Sequence, residues 1–263
     1  MSQGTPARIT RRFLRVWQRN YTVYRRTWKI SFVPPLLEPL LYIFAFGVGL
    51  GTLIGNVAWQ RRELSYVQYI VPALIAISIM NSAFFETTYA SFVRMYYQKT
   101  FDAMMATPLS VDEIITGEIA WGVTKSLISA VVMTAVVSLF GLIHYPSGLM
   151  IIPVAVLGGF AFSTIGMVFT GITPNIEMFN LPSFLFITPM FLFSATFFPI
   201  DGFPAWARGL ALALPLTHLT QLARGCCLGV LTPELGWSCL YLAAMGAICF
   251  PLALARMRAR LIP

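Results

Sequence analysis

Apolar residues run along this chain in long blocks, not in the short alternations of a sheet. A helix crossing a hydrocarbon core of about 30 Å needs about 20 residues at about 1.5 Å each. Six blocks reach that length, at 30–55, 66–92, 114–140, 149–173, 178–198 and 236–255. The pattern predicts an all-α membrane protein with six transmembrane helices, and an even count puts both termini on one side of the bilayer. Ahead of the first block, Ile9, Phe13, Val16, Trp17, Tyr21, Tyr24 and Trp28 recur at helical spacing, while Arg8, Arg11, Arg12, Arg15, Arg19 and Arg26 take the other face. Rings on one side and arginines on the other predict an N-terminal amphipathic helix within 1–29, lying in the head-group plane. In the first block Gly47, Gly51 and Gly55 fall four apart, a stripe that lets another helix approach.

Two segments interrupt the pattern. VRMYYQKTFDAMMATPLSVDEIITGEI, between the second and third blocks, is too polar to span. Helix formers near 96–105 predict a short helix there with Phe101, Met104 and Met105 exposed, an apolar patch flanked by Lys99 and Asp102 that suits docking onto another protein. Pro108 ends it, and Ser110 with Glu113 makes an S-x-x-E capping box that opens the third span. FFPIDGFPAWARGLALALPLTHLTQLARG, residues 197–225, is too apolar for a solvated loop and too often broken for a span. Irregular backbone is tolerated at membrane depth only where protein or a water-filled cavity satisfies it. The segment therefore predicts a re-entrant pair of short helices, Ala205–Leu214 and Leu216–Arg224, turned by Pro215, each about 15 Å or half a bilayer long. Asp201, Arg208, His218 and Arg224 become candidates for head-group or substrate contact.

Composition agrees with the spans. Of 263 residues 57% are hydrophobic and 11% charged, with mean hydropathy +0.75, whereas soluble domains carry about 25% charged residues. No long polar segment is present to build a soluble domain, so 1–263 reads as one transmembrane domain. The net charge of +8 is a topology signal rather than a nucleic-acid one: eight of the 18 basic residues precede Ile30 and three follow Leu254. Positive residues gather on cytoplasmic flanks, which places both termini in the cytoplasm. Arg8 to Lys29 is too long and basic for the n-region of a cleaved signal peptide. Cys226, Cys227, Cys239 and Cys249 contain no C-x-x-C pair, and His144 and His218 stand far apart, so no metal site is expected.

Ionisable residues inside spans are costly. They are Glu38, Glu86, Glu118 and Lys125, of which the last two, seven apart, share a helix face. Lys125 needs an acidic partner that Glu86 or Glu38 could supply. The group reads as a buried charge cluster that fixes three helices, or else as a proton-coupling or substrate site.

The chain has no phosphate-binding loop: Gln98 precedes Lys99-Thr100 and Thr124 precedes Lys125-Ser126 where a glycine must stand. Nor does it contain a nucleophile elbow or H-E-x-x-H. The chain by itself is not expected to be an enzyme.

The basic amphipathic helix, six spans, TPLSVDEIITGEI after the second span, and the interrupted FFP...LP...R segment together resemble the permease subunits of type-2 ATP-binding-cassette transporters. The resemblance covers essentially the whole chain and is similar in detail to the branch that includes the nodulation lipo-chitooligosaccharide exporter permease. It implies two copies of this chain working with two copies of a cytoplasmic ATPase in a bacterial inner membrane, with ATP and Mg held by that partner and no cofactor on this chain. It implies that Lys99, Phe101, Asp102, Met104 and Met105 form a coupling helix seated on the ATPase, and that the helix bearing Arg12, Phe13, Trp17 and Arg19 leans on it. It also implies a path lined by the first, second and fifth spans, with Phe44, Phe186, Pro182 and Pro189 beside it and the hairpin as its outer gate. The substrate class it implies is a lipid-linked oligosaccharide, with efflux of hydrophobic drugs as the alternative. An ion-coupled secondary transporter using Glu38, Glu86 and Lys125 and a non-transporting scaffold are the readings from other classes.

Overall fold

A computed structural model describes residues 10–50, 55–60 and 62–262. Five of its helices are long and apolar enough to cross a membrane: Tyr66–Tyr97, Val111–Leu139, Ser147–Ile172, Ile176–Phe193 and Glu234–Leu261. The pair Phe13–Lys29 and Ser31–Phe46, bent by 58°, makes the sixth if counted as one span. In chain order Ser31–Phe46 is here the first span and Glu234–Leu261 the sixth. Pro34 and Pro35 lie just past the bend, where each removes a backbone hydrogen bond and crowds the preceding turn.

The second span is the most buried of these helices and the fifth the least. One apolar core joins Ile70, Leu74 and Met80 of the second span to Phe162 of the fourth and Leu219 of the hairpin region. A second core at the opposite end of the bundle gathers Val16, Phe92, Phe101, Ile114, Phe179 and Met257. It ties the amphipathic helix, the segment after the second span and the last turns of the sixth span into one face. Arg258 adds an ion pair to Asp112, and Arg260 donates to the carbonyls that end the fourth span, Thr170 and Thr173.

The hairpin forms as expected, with helices Ala205–Ala213 and Pro215–Leu228. Pro215 stands at a first helical position, where its missing N–H costs nothing. The second helix runs to Leu228, four residues beyond the sequence estimate, and ends at Gly229 in left-handed conformation (φ 71°). The capping box also forms: Ser110 Oγ accepts from Glu113 N at 3.3 Å and Ser110 N donates to Glu113 Oε2 at 2.8 Å. Ser65 and Gln68 make a second box at the head of the second span, which the sequence reading did not note.

Three features differ from expectation. A two-stranded antiparallel hairpin, β1 (Asn56–Trp59) and β2 (Arg62–Ser65), follows the first span. Gly55 opens it at φ 68° instead of extending the glycine stripe, while Gly51 and the Gly47 side chain lie outside the described residues. The fifth span is not one regular helix but passes through a wide turn at Ser183–Ile187 between short α segments. Pro182 and Pro189 flank that turn, and their missing donors explain it.

The amphipathic helix packs on protein. Val16 is buried against Gly117 of the third span, where an added Cβ would stand 2.5 Å from Val16 Cβ and 2.8 Å from Phe13 O. Trp17 donates to Thr124 Oγ1 at 2.8 Å, while Tyr21 and Trp28 stay exposed. Half of the aromatic face thus serves the third span rather than a head-group plane. Gly117→Val is expected to lower stability by about 1–3 kcal/mol, because Val16 Cβ and Phe13 O, both fixed to the amphipathic helix backbone, stand where the methyls would go. Thermal unfolding of the purified variant checks this, and an unchanged midpoint would contradict the close approach.

A cavity over an arginine-centred network

The second span carries Glu86 and Arg94 in its last turns, both within or beside wide turns at Glu86–Ala90 and Val93–Tyr97. Eight residues apart, the two would stand about 80° apart on a regular α-helix, and the wide turns reduce that angle. Arg94 Nη1 donates to Glu86 Oε1 at 2.7 Å. Its Nε and Nη2 reach Glu118 Oε2 on the third span at 2.9 and 2.6 Å. Glu118 Oε1 accepts from Asn20 of the amphipathic helix at 2.8 Å, and Glu86 Oε1 takes a second donor, Trp121 Nε1, at 3.0 Å. Glu118 is fully buried. One guanidinium and four hydrogen-bonding partners from three helices therefore make a connected network, which is how a buried charge becomes tolerable.

This corrects the expected cluster in two ways. Its cation is Arg94, which by pattern belongs to the polar segment after the second block, not Lys125. Lys125 Nζ lies 4.8 Å above the Tyr24 ring, and among the described residues no carboxylate forms an ion pair with it. Glu38 stands apart on the first span, taking a hydrogen bond from Tyr42 at 3.3 Å. The signal that could have found Arg94 was its position one turn before the chain breaks at Lys99, still within reach of two helix-borne carboxylates.

Above the network lies a cavity of about 760 Å³ walled by the amphipathic helix and the first three spans. Glu38, Glu86, Arg94 and Lys125 all reach its walls, as do Tyr24 and Trp121. Its volume falls within the usual range for small-ligand sites. Among the described residues, no three of His, Cys, Asp and Glu gather as metal ligands would.

Next to this site the chain turns sharply at Lys99, in left-handed conformation (φ 53°), into a short helix, Thr100–Met105. Phe101 is not exposed: it is completely buried in the second core, with Met104 and Met105 half-buried against it. Three helix faces converge there and claim the ring. The exposed edge is Lys99, Asp102 and Ala103, with Tyr96 and Tyr97 before it. Arg19 Nη2 lies 3.3 Å from Thr100 Oγ1, and Arg12 Nη1 donates to Pro108 O at 2.8 Å. Phe13 and Trp17 are half-buried between these two contacts.

At the hairpin face two candidates for external contact turn inward. His218 is buried, its ring stacked at 4.1 Å on Tyr241, with nitrogens 3.1 Å from Ser238 Oγ and 3.0 Å from Leu212 O. It pins the hairpin to the sixth span. Arg224 is buried beneath the same hairpin and donates to Tyr69 O, Ala195 O and Thr196 O at 3.0, 2.6 and 3.0 Å, with its guanidinium 3.8 Å from the Tyr69 ring. Those carbonyls belong to the start of the second span and to the break after the fifth. Arg208 remains exposed, and the Asp201 side chain lies outside the described residues. Phe44 faces outward, 70% exposed, whereas Phe186 packs on Phe169 at 5.7 Å, so the two do not meet.

Residues 11–228 match the family model for ABC-2 type transporters. The chain is 34% identical over 254 residues to nodulation protein J of Rhizobium leguminosarum bv. viciae, covering 95% of each, and 32% identical over 251 residues to nodulation protein J of Rhizobium meliloti (strain 1021), covering 95% and 94%. It is 24% identical to the inner membrane transport permease YadH of Escherichia coli (strain K12) over 90% of this chain and 92% of that one. Multiple spans, little sheet and a match running from the amphipathic helix to the end of the hairpin place this protein in the ABC-2 type transporter family, as a multi-pass membrane permease subunit.

Proposed function

We propose that two copies of this chain, with two copies of a separate ABC ATPase, export a lipid-linked oligosaccharide from the cytoplasm. ABC-2 permeases imply such an ATPase partner. ATP and Mg belong to that partner, and this chain carries the path. Both termini, the amphipathic helix and the Thr100–Met105 helix face the cytoplasm, and the Ala205–Leu228 hairpin gates the outer side. The oligosaccharide reading draws on the likeness to the nodulation branch. The second copy covers the exposed faces of the first and fifth spans, where Leu41, Phe44, Phe184 and Leu185 are each at least 67% exposed.

The observation that carries the coupling role is the union of the two elements on one face. The amphipathic helix and the Thr100–Met105 helix share the core under Phe101 and the Arg19 to Thr100 hydrogen bond. A push on the exposed edge at Lys99, Asp102 and Ala103 therefore moves the amphipathic helix, the Arg94 network and the second span together. Phe101, Met104 and Met105 transmit the push from beneath and do not touch the ATPase as a patch.

Ala103→Arg tests this. Placing a long cation at the exposed edge is expected to weaken ATPase co-purification by roughly tenfold or more, as loss of a docking hot spot does, while the melting midpoint of the permease alone holds. Undiminished co-purification would remove this edge from the docking surface. Transport that survives ATP depletion but stops when the proton gradient collapses would replace the exporter by an ion-coupled carrier.

A further inference from the structure

We propose that the sixth span is a rigid rod that carries a push on the Thr100–Met105 helix to the outer hairpin. Met257 and Arg258 receive the push at one end, and Leu235, Ser238 and Tyr241 deliver it at the other. The exporter reading supplies the push, whereas the linkage stands on the contacts below.

At the cytoplasmic end the span is fixed to the segment that docks. Met257 is completely buried in the core that holds Phe101 and Val16. Arg258 forks onto Asp112, in the first turn of the third span, which follows the Thr100–Met105 helix. At the outer end Leu235, Ser238 and Tyr241, three residues apart on one helix face, each meet the hairpin. An added Cβ on Gly225 would stand 2.4 Å from Leu235 Cδ1. Ser238 Oγ donates to Gln221 Oε1 at 3.2 Å and lies 3.1 Å from His218 Nδ1. Tyr241 donates to Ala213 O at 2.6 Å and stacks on His218. Both helices of the hairpin are thus held by one face of the rod.

Rigidity decides between this span and the second, which also reaches both ends, through the Arg94 network and through the Arg224 bond to Tyr69 O. Between those ends the second span is interrupted by wide turns at Glu86–Ala90 and Val93–Tyr97, where looser winding takes up axial displacement. The sixth is one α-helix from Glu234 to Leu261, about 42 Å long at about 1.5 Å per residue. It continues through Pro251, although proline removes a backbone bond. Its contact with the fourth span also permits sliding. An added Cβ on Gly246 would stand 2.6 Å from Phe160 Cδ1, and one on Gly171 of the fourth span 2.8 Å from Arg256 Cβ. Glycines present no side chain to interlock, so a shear of about 1–2 Å, the usual size of helix shifts in switching proteins, meets little resistance. Arg260, which donates to Thr170 O and Thr173 O of the fourth span, follows such a shift along its flexible stem.

The test uses the full chain with its ATPase in nanodiscs and reads hydrogen exchange of residues 205–228, nucleotide-free and trapped with ADP and vanadate. In the wild type, trapping is expected to change that exchange by about threefold or more. Arg258→Met is expected to cut the change to about a third, a loss of coupling between two ends, while the ATPase still co-purifies and hydrolyses ATP because the edge at Lys99, Asp102 and Ala103 is untouched. Arg258→Lys keeps a cation on the single carboxylate of Asp112 and is expected to retain most of the response, an outcome that general loosening would not give. Tyr241→Phe, which deletes one oxygen at the far end, is expected to lower the response in the same direction, and it decides alone if Arg258→Met fails to fold. With the ATPase assembled, a wild-type hairpin that does not respond to trapping overturns the proposal. So does an undiminished response in Arg258→Met or Tyr241→Phe, or an Arg258→Lys variant no better than Arg258→Met. If no ATPase assembles, the exporter reading falls and the linkage is judged on the permease alone: Arg258→Met should still raise exchange at 205–228, about 40 Å along the rod, and unchanged exchange there overturns it.

Discussion

Replacing Arg94 by Met is expected to destabilise the permease by about 3–5 kcal/mol, the range for breaking a buried ion pair from one side. The side chain removed is similar in volume, so packing is a minor part of the loss. What remains is Glu118, fully buried, and Glu86, 12% exposed, two carboxylates facing each other with only Asn20 and Trp121 to serve them. Purified Arg94→Met should unfold at a markedly lower temperature or fail to accumulate in the membrane. The double variant Arg94→Met/Glu118→Gln should recover part of the loss, because the stranded charge goes with its partner. A single variant that melts like the wild type, or a double variant no better than the single, would show that the network does not hold these helices. Arg94→Lys should recover little, since an ammonium cannot span both carboxylates as the guanidinium fork does.

Arg224→Leu is expected to loosen the hairpin face by about 3 kcal/mol, because three buried carbonyls lose charge-assisted donors at once. Among the described residues no carboxylate pairs with Arg224: its charge is held by the oxygens of Tyr69, Ala195 and Thr196 and by the Tyr69 ring. Ala195 sits at φ 53°, an unfavoured conformation for a residue with a Cβ, and two of the three bonds hold that break in place. Hydrogen exchange should rise across 194–228 while the third and fourth spans stay protected. Unchanged exchange there would mean that the arginine is a passenger. If the hairpin gates the path, the same variant should leak, so that ATP hydrolysis continues with substrate export reduced.

Much of the architecture was legible along the chain. The number of spans, the hairpin with its Pro215 turn and the Ser110–Glu113 box depend on residues within one turn or one bilayer thickness of each other, and they appeared where the pattern put them, while several span ends shifted. The candidate site was legible only in part. Glu86 and Glu118 stood out as members of a buried charge cluster, because the cost of an ion in a span is a property of the residue and its depth. Lys125 looked like the cation of that cluster, on the same helix face as Glu118 and with Glu86 or Glu38 as its acidic partner. Arg94 instead reaches Glu118 from another helix, and nothing local announces which helix will lie alongside. Phe101 was read as exposed from a polar neighbourhood, TFDA, yet the amphipathic helix and the sixth span converge on it from opposite ends of the chain.

The chain's own sequence determined that it is a multi-span helical membrane protein, which face is basic, and where its backbone must break. Those properties follow from hydrophobic length, proline chemistry and charge placement, all of them additive along the chain. The tertiary structure alone decided that Arg94 carries the charge network, that Arg224 and His218 face inward to hold the hairpin, and that Lys99, Asp102 and Ala103 form the exposed edge. Side-chain partners across helices are set by the rotation and axial offset of each helix against its neighbours, and these emerge only when all the helices pack at once.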